Sequence, residues 1–392
     1  MTSQPATTSP DGGAVDPREL YDRIQADDPV AILDVRSEAD YEEWHIDGPE
    51  VDAVNVPGEE FEGDLDADLL DSLPEGDPLV VVCAKGVTSA DIAATLRDHG
   101  IDALNLDEGM EGWARVYVAT PVERYDGSGT LYQYQRPSSG CLAYFLVDGD
   151  EAAVFDPLRA FLDRYRSDVA DHEANLSYVF DTHIHADHVS GVRRLMGNGT
   201  VGVLPEPAIE RGVTYADEVQ AATDGEEFHV GDAVVTAVHT PGHTSGMTSY
   251  RIDDSVLLTG DGLFTESVAR PDLEHGDEGA TDAARTLYET LQNVILDYPD
   301  DLLIAGGHYS GAAQPAEDGT YTATLGDLRE RMEMLSLSED DFVERVLEDM
   351  PPRPTNYQTI IATNLGQESV TDRQAFELEL GPNNCATSAD AL

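Results

Sequence analysis

The run His183-Ile184-His185-Ala186-Asp187-His188 packs imidazoles and a carboxylate into one short segment. It follows an apolar, strand-like stretch, Leu176 to Phe180. On extended backbone alternate side chains point the same way, so His183 and His185 can face one ion. Asp187 and His188 follow where the chain turns toward a helical stretch, Val189 to Met196. Three more donors lie downstream. His243 is presented by a Pro-Gly turn in His239-Thr240-Pro241-Gly242-His243-Thr244, Asp261 ends the apolar run beginning at Leu257, and His308 ends Ala305-Gly306-Gly307. Imidazole and carboxylate at strand ends are what a first-row transition metal needs, and these donors suit zinc and iron alike. A second chemistry is carried by Cys83-Ala84-Lys85-Gly86-Val87-Thr88-Ser89, which joins a buried strand to a helix. Backbone N–H groups and the positive helix end favour a thiolate or a persulfide there. Lys85, the one lysine in the chain, would reinforce that charge.

These residues need elements to hold them. Strand-like runs at Ala31 to Val35, Pro78 to Cys83 and Ala103 to Leu106 alternate with helical segments at Ser89 to His99 and near Trp113. Such alternation predicts a small parallel α/β domain over residues 15–120, after a flexible tail, 1–14. A turn-rich linker is expected at 121–130. Strands then dominate from Leu142 to Ala305 with a helix at Leu158 to Val169, which suits a two-sheet sandwich covered by helices, over 131–311. A mainly helical extension, 312–371, should pack on that domain, and 372–392 reads as a loose tail. His239 and Asp156 read as structural residues. His45, His99, His172, His229 and His275 have no metal-motif context. Cys141 reads as packing at a strand start, and Cys385 lies in the tail.

Composition narrows the function classes. The 392 residues carry a formal net charge of −56, with acidic residues interleaved among regular apolar strands. This acidic, lysine-poor surface resembles proteins of extreme halophiles, whose self-repulsion molar salt screens. It argues against nucleic acid as a partner, since phosphate binding needs clustered Lys and Arg. Cys83, Cys141 and Cys385 are too widely spaced for a metal knuckle or a disulfide framework, so a reducing compartment fits. No signal peptide or membrane-spanning run is visible, which makes a cytoplasmic location the expectation. A homodimer is compatible with a fold whose edge elements commonly pair.

The ordered set His183, His185, Asp187, His188, His243, Asp261 and His308 resembles the metallo-β-lactamase superfamily over about Leu131 to Gly311. That resemblance implies an αββα sandwich and a metal-dependent enzyme. The Cys83 loop, with Asp34-Val35-Arg36 and the segment His45-Ile46-Asp47-Gly48 to Asn55-Val56-Pro57, resembles rhodanese sulfurtransferases. Cys83 is then the sulfur-carrying nucleophile, with Lys85, Gly86 and Ser89 contacting substrate. Thr88 stands where many rhodaneses have Arg, which weakens the case for thiosulfate as donor.

Within the metal family, Gly260-Asp261-Gly262-Leu263-Phe264, Ala269-Arg270-Pro271-Asp272-Leu273 and the segment from Pro351 to Gly366 resemble persulfide dioxygenases. Two departures are Ala269, where glycine is usual, and a rhodanese part that precedes the metal domain. This resemblance implies one Fe(2+) on His183, His243 and Asp261, with a small-molecule thiol persulfide and O2 as substrates. Arg270 is then a candidate grip on the substrate, and Asp187 joins Cys83 as a candidate catalytic residue. The alternative is a two-zinc thioesterase like glyoxalase II (hydroxyacylglutathione hydrolase), using all seven ligands with Asp261 bridging. A third reading, a sulfur carrier or sensor with a degenerate metal site, is not enzymatic.

Overall fold

The computed structural model describes residues 13–63, 65–74, 76, 78–348, 350–382 and 385. The expected tail 1–14 therefore lies almost wholly outside the described residues. The chain divides into two compact units, with the main boundary between Val116 and Tyr117.

The first unit holds a five-stranded sheet: β1 (Ala14–Val15), β2 (Val30–Asp34), β3 (Val51–Asn55), β4 (Leu79–Val82) and β5 (Ala103–Leu106), in the order β1-β5-β4-β2-β3. Every pairing is parallel. β2 and β4 are buried along their whole length, as parallel strands covered on both faces must be, and their unbroken apolar sequences reflect that. Helices α1 (Pro17–Gln25), α2 (Glu38–Glu43), α3 (Ala67–Asp71), α4 (Thr88–Asp98) and α5 (Gly109–Trp113) connect them. α4 lays Ile92, Ala93 and Leu96 on Leu33, Leu79 and Val81. Cys83 thus sits at the carboxyl end of β4, where ligands bind in open α/β sheets.

The second unit is a two-sheet sandwich. One sheet contains β6 (Val118–Pro121), β7 (Thr130–Arg136), β8 (Cys141–Asp148), β9 (Glu151–Phe155), β10 (Asn175–Phe180), β11 (Val201–Pro205) and β12 (Gln220–Ala222). The other contains β13 (Glu227–Val230), β14 (Ala233–His239), β15 (Thr248–Ile252), β16 (Val256–Gly260), β17 (Leu303–Gly306) and β18 (Thr322–Thr324). Alternation along the strands builds separate cores. Leu142, Tyr144 and Leu146 of β8 point between the sheets to meet Val235, Tyr250 and Leu258. Ala143, Phe145 and Val147 point outward, onto Phe161, Leu162 and Tyr165. The outer face of the second sheet is covered by α9 (Gly276–Thr290) and α11 (Glu339–Glu348), through Leu287, Phe342 and Val346.

Two expectations need correction. The segment 121–130 is not a free linker: Pro121 ends β6, Thr130 begins β7, and the two strands pair from Pro121↔Tyr132 to Val118↔Gln135. Nor is the chain loose from Asp372. α13 (Asp372–Leu378) follows a capping box formed by Thr371 and Gln374, and it buries Ala375 and Phe376. In both places the apolar residues are too few for a periodic signal, and partners distant in sequence supply the order.

Candidate functional site

The metal-type residues meet at strand ends of the sandwich. β10 leads into His183, the loop after β14 carries His243, β16 ends on Asp261, and β17 ends before His308. The approach is close. A Cβ on Gly307 would lie 2.7 Å from Asp261 Oδ1, so only glycine lets these two strand ends converge.

Three buried atoms converge without a hydrogen-bond partner among the described residues: His183 Nε2, His243 Nε2 and Asp261 Oδ2. The carboxylate oxygen lies 3.6 Å from His183 Nε2 and 3.7 Å from His243 Nε2. Donors bound at about 2.1 Å to one ion sit roughly 3.0–3.4 Å apart, so the set fits a metal with slight contraction. The opposite ring nitrogens are committed. His243 Nδ1 donates to the Arg270 carbonyl at 2.9 Å. His183 Nδ1 lies 2.9 Å from Thr182 Oγ1, which donates to Asp156 Oδ2. Such contacts fix the tautomer that leaves the Nε2 lone pairs facing the ion. Burial pushes both imidazoles down toward the neutral, ligating form, His183 most strongly. Burial alone would raise the Asp261 carboxyl, yet His308, then His183 and His243, hold it well below the usual carboxylate range.

The remaining sequence candidates divide into two further groups. His185 is not part of the triad: its Nε2 faces Asp156 at 3.1 Å and Asp181 at 3.4 Å. Burial would lower this imidazole, but the two carboxylates outweigh His188 as well and lift it to about 9. Asp187, His188 and His308 gather with Cys141, a residue whose place at a strand start predicts packing alone.

The comparisons with known proteins agree with both units. Residues 16–116 match the rhodanese-like domain model. Residues 137–308 match the metallo-beta-lactamase superfamily model. The chain joins a rhodanese-like domain to a metallo-β-lactamase domain. It is 27% identical over 266 residues to the bovine mitochondrial protein named persulfide dioxygenase ETHE1, covering 65% of this chain and 96% of that one. A Schizosaccharomyces pombe protein named probable hydroxyacylglutathione hydrolase is 28% identical over 48% of this chain and 68% of its own length. The crystal structure of ETHE1 from Myxococcus xanthus superposes with a TM-score of 0.52 at 26% identity, covering 61% of this chain and 99% of that one. The chain is thus homologous to persulfide dioxygenases and glyoxalase II, a kinship that points to a metal-dependent enzyme.

Residues of the C-terminal extension hold the metal loop of the metallo-β-lactamase domain. Asn364, in α12 (Tyr357–Asn364), donates to the carbonyls of His185 and His188 and accepts from the Ser190 N–H. Glu379 accepts from the Val189 N–H at 2.9 Å. The similarity of this extension to a family segment was visible in the sequence; the clamp itself was not. The Arg270 side chain is buried, donating to Asp272 and to the Pro352 carbonyl. Arg353 joins it on Asp272. Arg270 ties two segments of the protein together and, through its own carbonyl, orients His243. Cys385 is buried against Ala186 and Leu273.

In the rhodanese-like domain, the Cys83 thiol lies 3.0 Å from the Ser89 hydroxyl. That hydroxyl is also 2.6 Å from Asn105 Oδ1. Burial would raise the thiol, but Ser89 and the backbone N–H groups of Ser89, Lys85 and Gly86 lower it below its ordinary value. Gly86 makes the cradle possible: its φ is +74°, and a Cβ there would sit 2.8 Å from the Glu108 nitrogen. Lys85 contributes differently from the sequence expectation. Its ammonium pairs with Glu111 at 3.1 Å, and its backbone N–H serves the sulfur. Asp34 and Arg36 form a buried ion pair, while Asn55 donates to both their carbonyls. These motif residues therefore stitch the ends of β2 and β3.

Proposed function

We propose that the metal domain oxidises a low-molecular-weight thiol persulfide with O2 to sulfite, and that the rhodanese-like domain transfers sulfane sulfur. The balance is RSSH + O2 + H2O giving RSH, sulfite and two protons. The observation that carries this reading is the separation of the donors: His183, His243 and Asp261 stand together as a two-histidine, one-carboxylate face, while His185 Nε2 is turned toward Asp156 and Asp181 in a separate cluster. Such a face with open positions is the arrangement non-haem Fe(2+) uses to bring O2 and a reductant together. A two-zinc hydrolase would call on His185 as a ligand beside His183, and its Nε2 faces Asp156 and Asp181 instead. The kinship with proteins named persulfide dioxygenase supports the same choice.

The chain's own residues do the following. Thr182 and the Arg270 carbonyl fix the ring tautomers of His183 and His243 with Nε2 directed inward, while burial keeps both rings neutral. His308 Nδ1, 2.5 Å from Asp261 Oδ1, orients that carboxylate and leaves Oδ2 free to ligate. Asn364 and Glu379 hold the loop 185–190 in register. In the other domain, the Cys83 thiolate attacks the terminal sulfur of a persulfide. A Cys83–S bond forms, the donor's S–S bond breaks, and the thiol RSH leaves with the proton. Ser89 and the loop N–H groups would hold the negative charge before and after transfer.

Protein purified anaerobically in high salt tests this reading. Persulfide-dependent O2 uptake with about one iron on the triad supports it. No O2 uptake, about two zinc ions per chain and thioester hydrolysis replace it with the glyoxalase II-like function. The acidic, lysine-poor composition supports working in molar salt, so the unfolding midpoint should fall as salt is withdrawn and the Debye length grows from about 3 Å to about 10 Å.

A further inference from the structure

We infer that Asn105 is a positioning residue for sulfur transfer: its side-chain amide turns with the charge on Cys83 and, through Ser89, directs the hydroxyl proton onto the sulfur. Ser89 Oγ lies 3.0 Å from Cys83 Sγ and 2.6 Å from Asn105 Oδ1. A serine hydroxyl has one proton to give, and an amide oxygen and a thiolate can only accept. Both contacts are complete at once only while Cys83 is the thiol. The S–H then donates to Ser89 Oγ, and the Ser89 O–H donates to Asn105 Oδ1.

The backbone brings the three side chains together. β4 and β5 pair in parallel, with Val81 opposite Asn105. Paired residues share a face, and so do residues two apart along a strand, so Val81, Cys83 and Asn105 all point toward α4. Ser89 comes from the first turn of that helix. Ser89 and Asn105 are both buried, on the side of the sheet where Val81, Ala93 and Leu96 pack. An amide in such a layer costs free energy unless it is hydrogen-bonded. Among the described residues its Oδ1 is bonded to Ser89 and its Nδ2 donates to none. A half-turn about Cβ–Cγ therefore gives up only the contact with Ser89 and remakes it with an N–H.

Once Cys83 ionises, the pattern must reverse. The sulfur becomes an acceptor and needs the Ser89 proton. Ser89 Oγ and Asn105 Oδ1 are then left facing each other at 2.6 Å with no proton between them. Turning the amide removes the conflict: Nδ2–H donates to Ser89 Oγ, and the Ser89 O–H donates to the thiolate. Hydrogen bonds in such a chain strengthen one another. Sulfur transfer makes this demand twice. Sγ is anionic when it attacks the outer sulfur of a persulfide. It is anionic again when an acceptor thiolate takes that sulfur and the Cys83–S bond breaks onto Sγ. Between the two steps the persulfide carries its charge on the outer sulfur, and Sγ no longer needs the proton. The consequence for transfer rests on Cys83 being the carrier, as proposed above; the turning amide rests on the geometry around the thiol.

NMR of the full chain carrying isotope-labelled asparagine tests the turn through the Asn105 side-chain N–H resonances. Their loss in whichever of Asn105→Leu and Asn105→Ser folds assigns them. As pH rises they should shift with the same midpoint as the iodoacetamide alkylation that Cys83→Ala removes. The shift should vanish in Cys83→Ala and collapse in Ser89→Ala. The charged residues on the elements around Cys83 are Lys85 with Glu111, Glu108 with Arg115, the Asp34–Arg36 pair, Glu59, Glu60 and Asp91. A shift that these cause would survive in Cys83→Ala. Resonances that hold still through the Cys83 midpoint overturn the inference. So do resonances that still move in Cys83→Ala, or that move as far in Ser89→Ala as in the unaltered chain. A sulfur-transfer assay on the unaltered chain keeps the two readings apart: a turning amide without transfer strikes the carrier role of Cys83 and leaves the turn standing.

Discussion

The Cys83 loop and the metal centre solve opposite problems. The loop is one continuous segment, and its thiol is drawn toward the thiolate by local means: the N–H groups of Lys85, Gly86 and Ser89 and the hydroxyl of Ser89 pull it down against burial. The metal centre gathers residues from His183 to His308 on separate strand ends. Burial keeps His183 and His243 neutral, and His243 is aimed by a partner that shares no local motif with it. A site made by local backbone tolerates distant change, whereas a site made by convergence depends on everything that holds its strands and loops together.

The largest effects should come from removing one atom set from each region. Asp261→Ala should lose the triad metal and drop O2 uptake to background, with Cys83 alkylation unchanged. Cys83→Ser should abolish sulfur transfer and spare iron-dependent O2 uptake. Elemental analysis, oxygen electrode traces and a sulfur-transfer assay on the two variants would show whether the regions are chemically separable; loss of both activities in either variant would break the contrast.

An intermediate effect is expected at Asn364, far from the triad in sequence. Asn364→Ala orphans two carbonyls and one N–H in a buried loop, costing on the order of 3 kcal/mol of stability. Metal affinity should weaken by about 10- to 100-fold, measured by competition with a chelator. Unchanged affinity would mean that the loop holds its shape without the extension.

The smallest effect belongs to Ser89. The folded thiol is lowered, so the thiolate forms at a pH below that of an ordinary cysteine, and alkylation by iodoacetamide should rise with pH through a midpoint below the free-thiol value. Ser89→Ala removes a hydrogen bond to the charged form, so that midpoint should move up. A midpoint that stays put would assign the lowering to the backbone cradle alone.

Much of both sites was legible in the sequence, for a physical reason. Strands buried on both faces read as continuous apolar runs, so the ends of β4, β10, β16 and β17 could be placed within a residue or two. Histidine, aspartate and cysteine at those ends stand out against the apolar background. Less legible were the strands β1, β6, β7 and β18 and the helix α13, whose order comes from partners elsewhere. Asn364, Glu379 and Thr182 carry no signal at all when read singly, because an amide, a carboxylate or a hydroxyl is ordinary until its hydrogen-bond partner is known.

The sequence by itself determined the inventory: which donors exist, that they end strands, and that a cysteine begins a loop leading into a helix. Residue type and short-range periodicity are enough for that. The tertiary structure alone decided how the donors are shared. His185 goes to Asp156 and Asp181, and Cys141 goes to Asp187 beside His308. Those assignments depend on which strand ends pair and which way each side chain turns. Both are set by the packing of two sheets whose strands lie far apart along the chain.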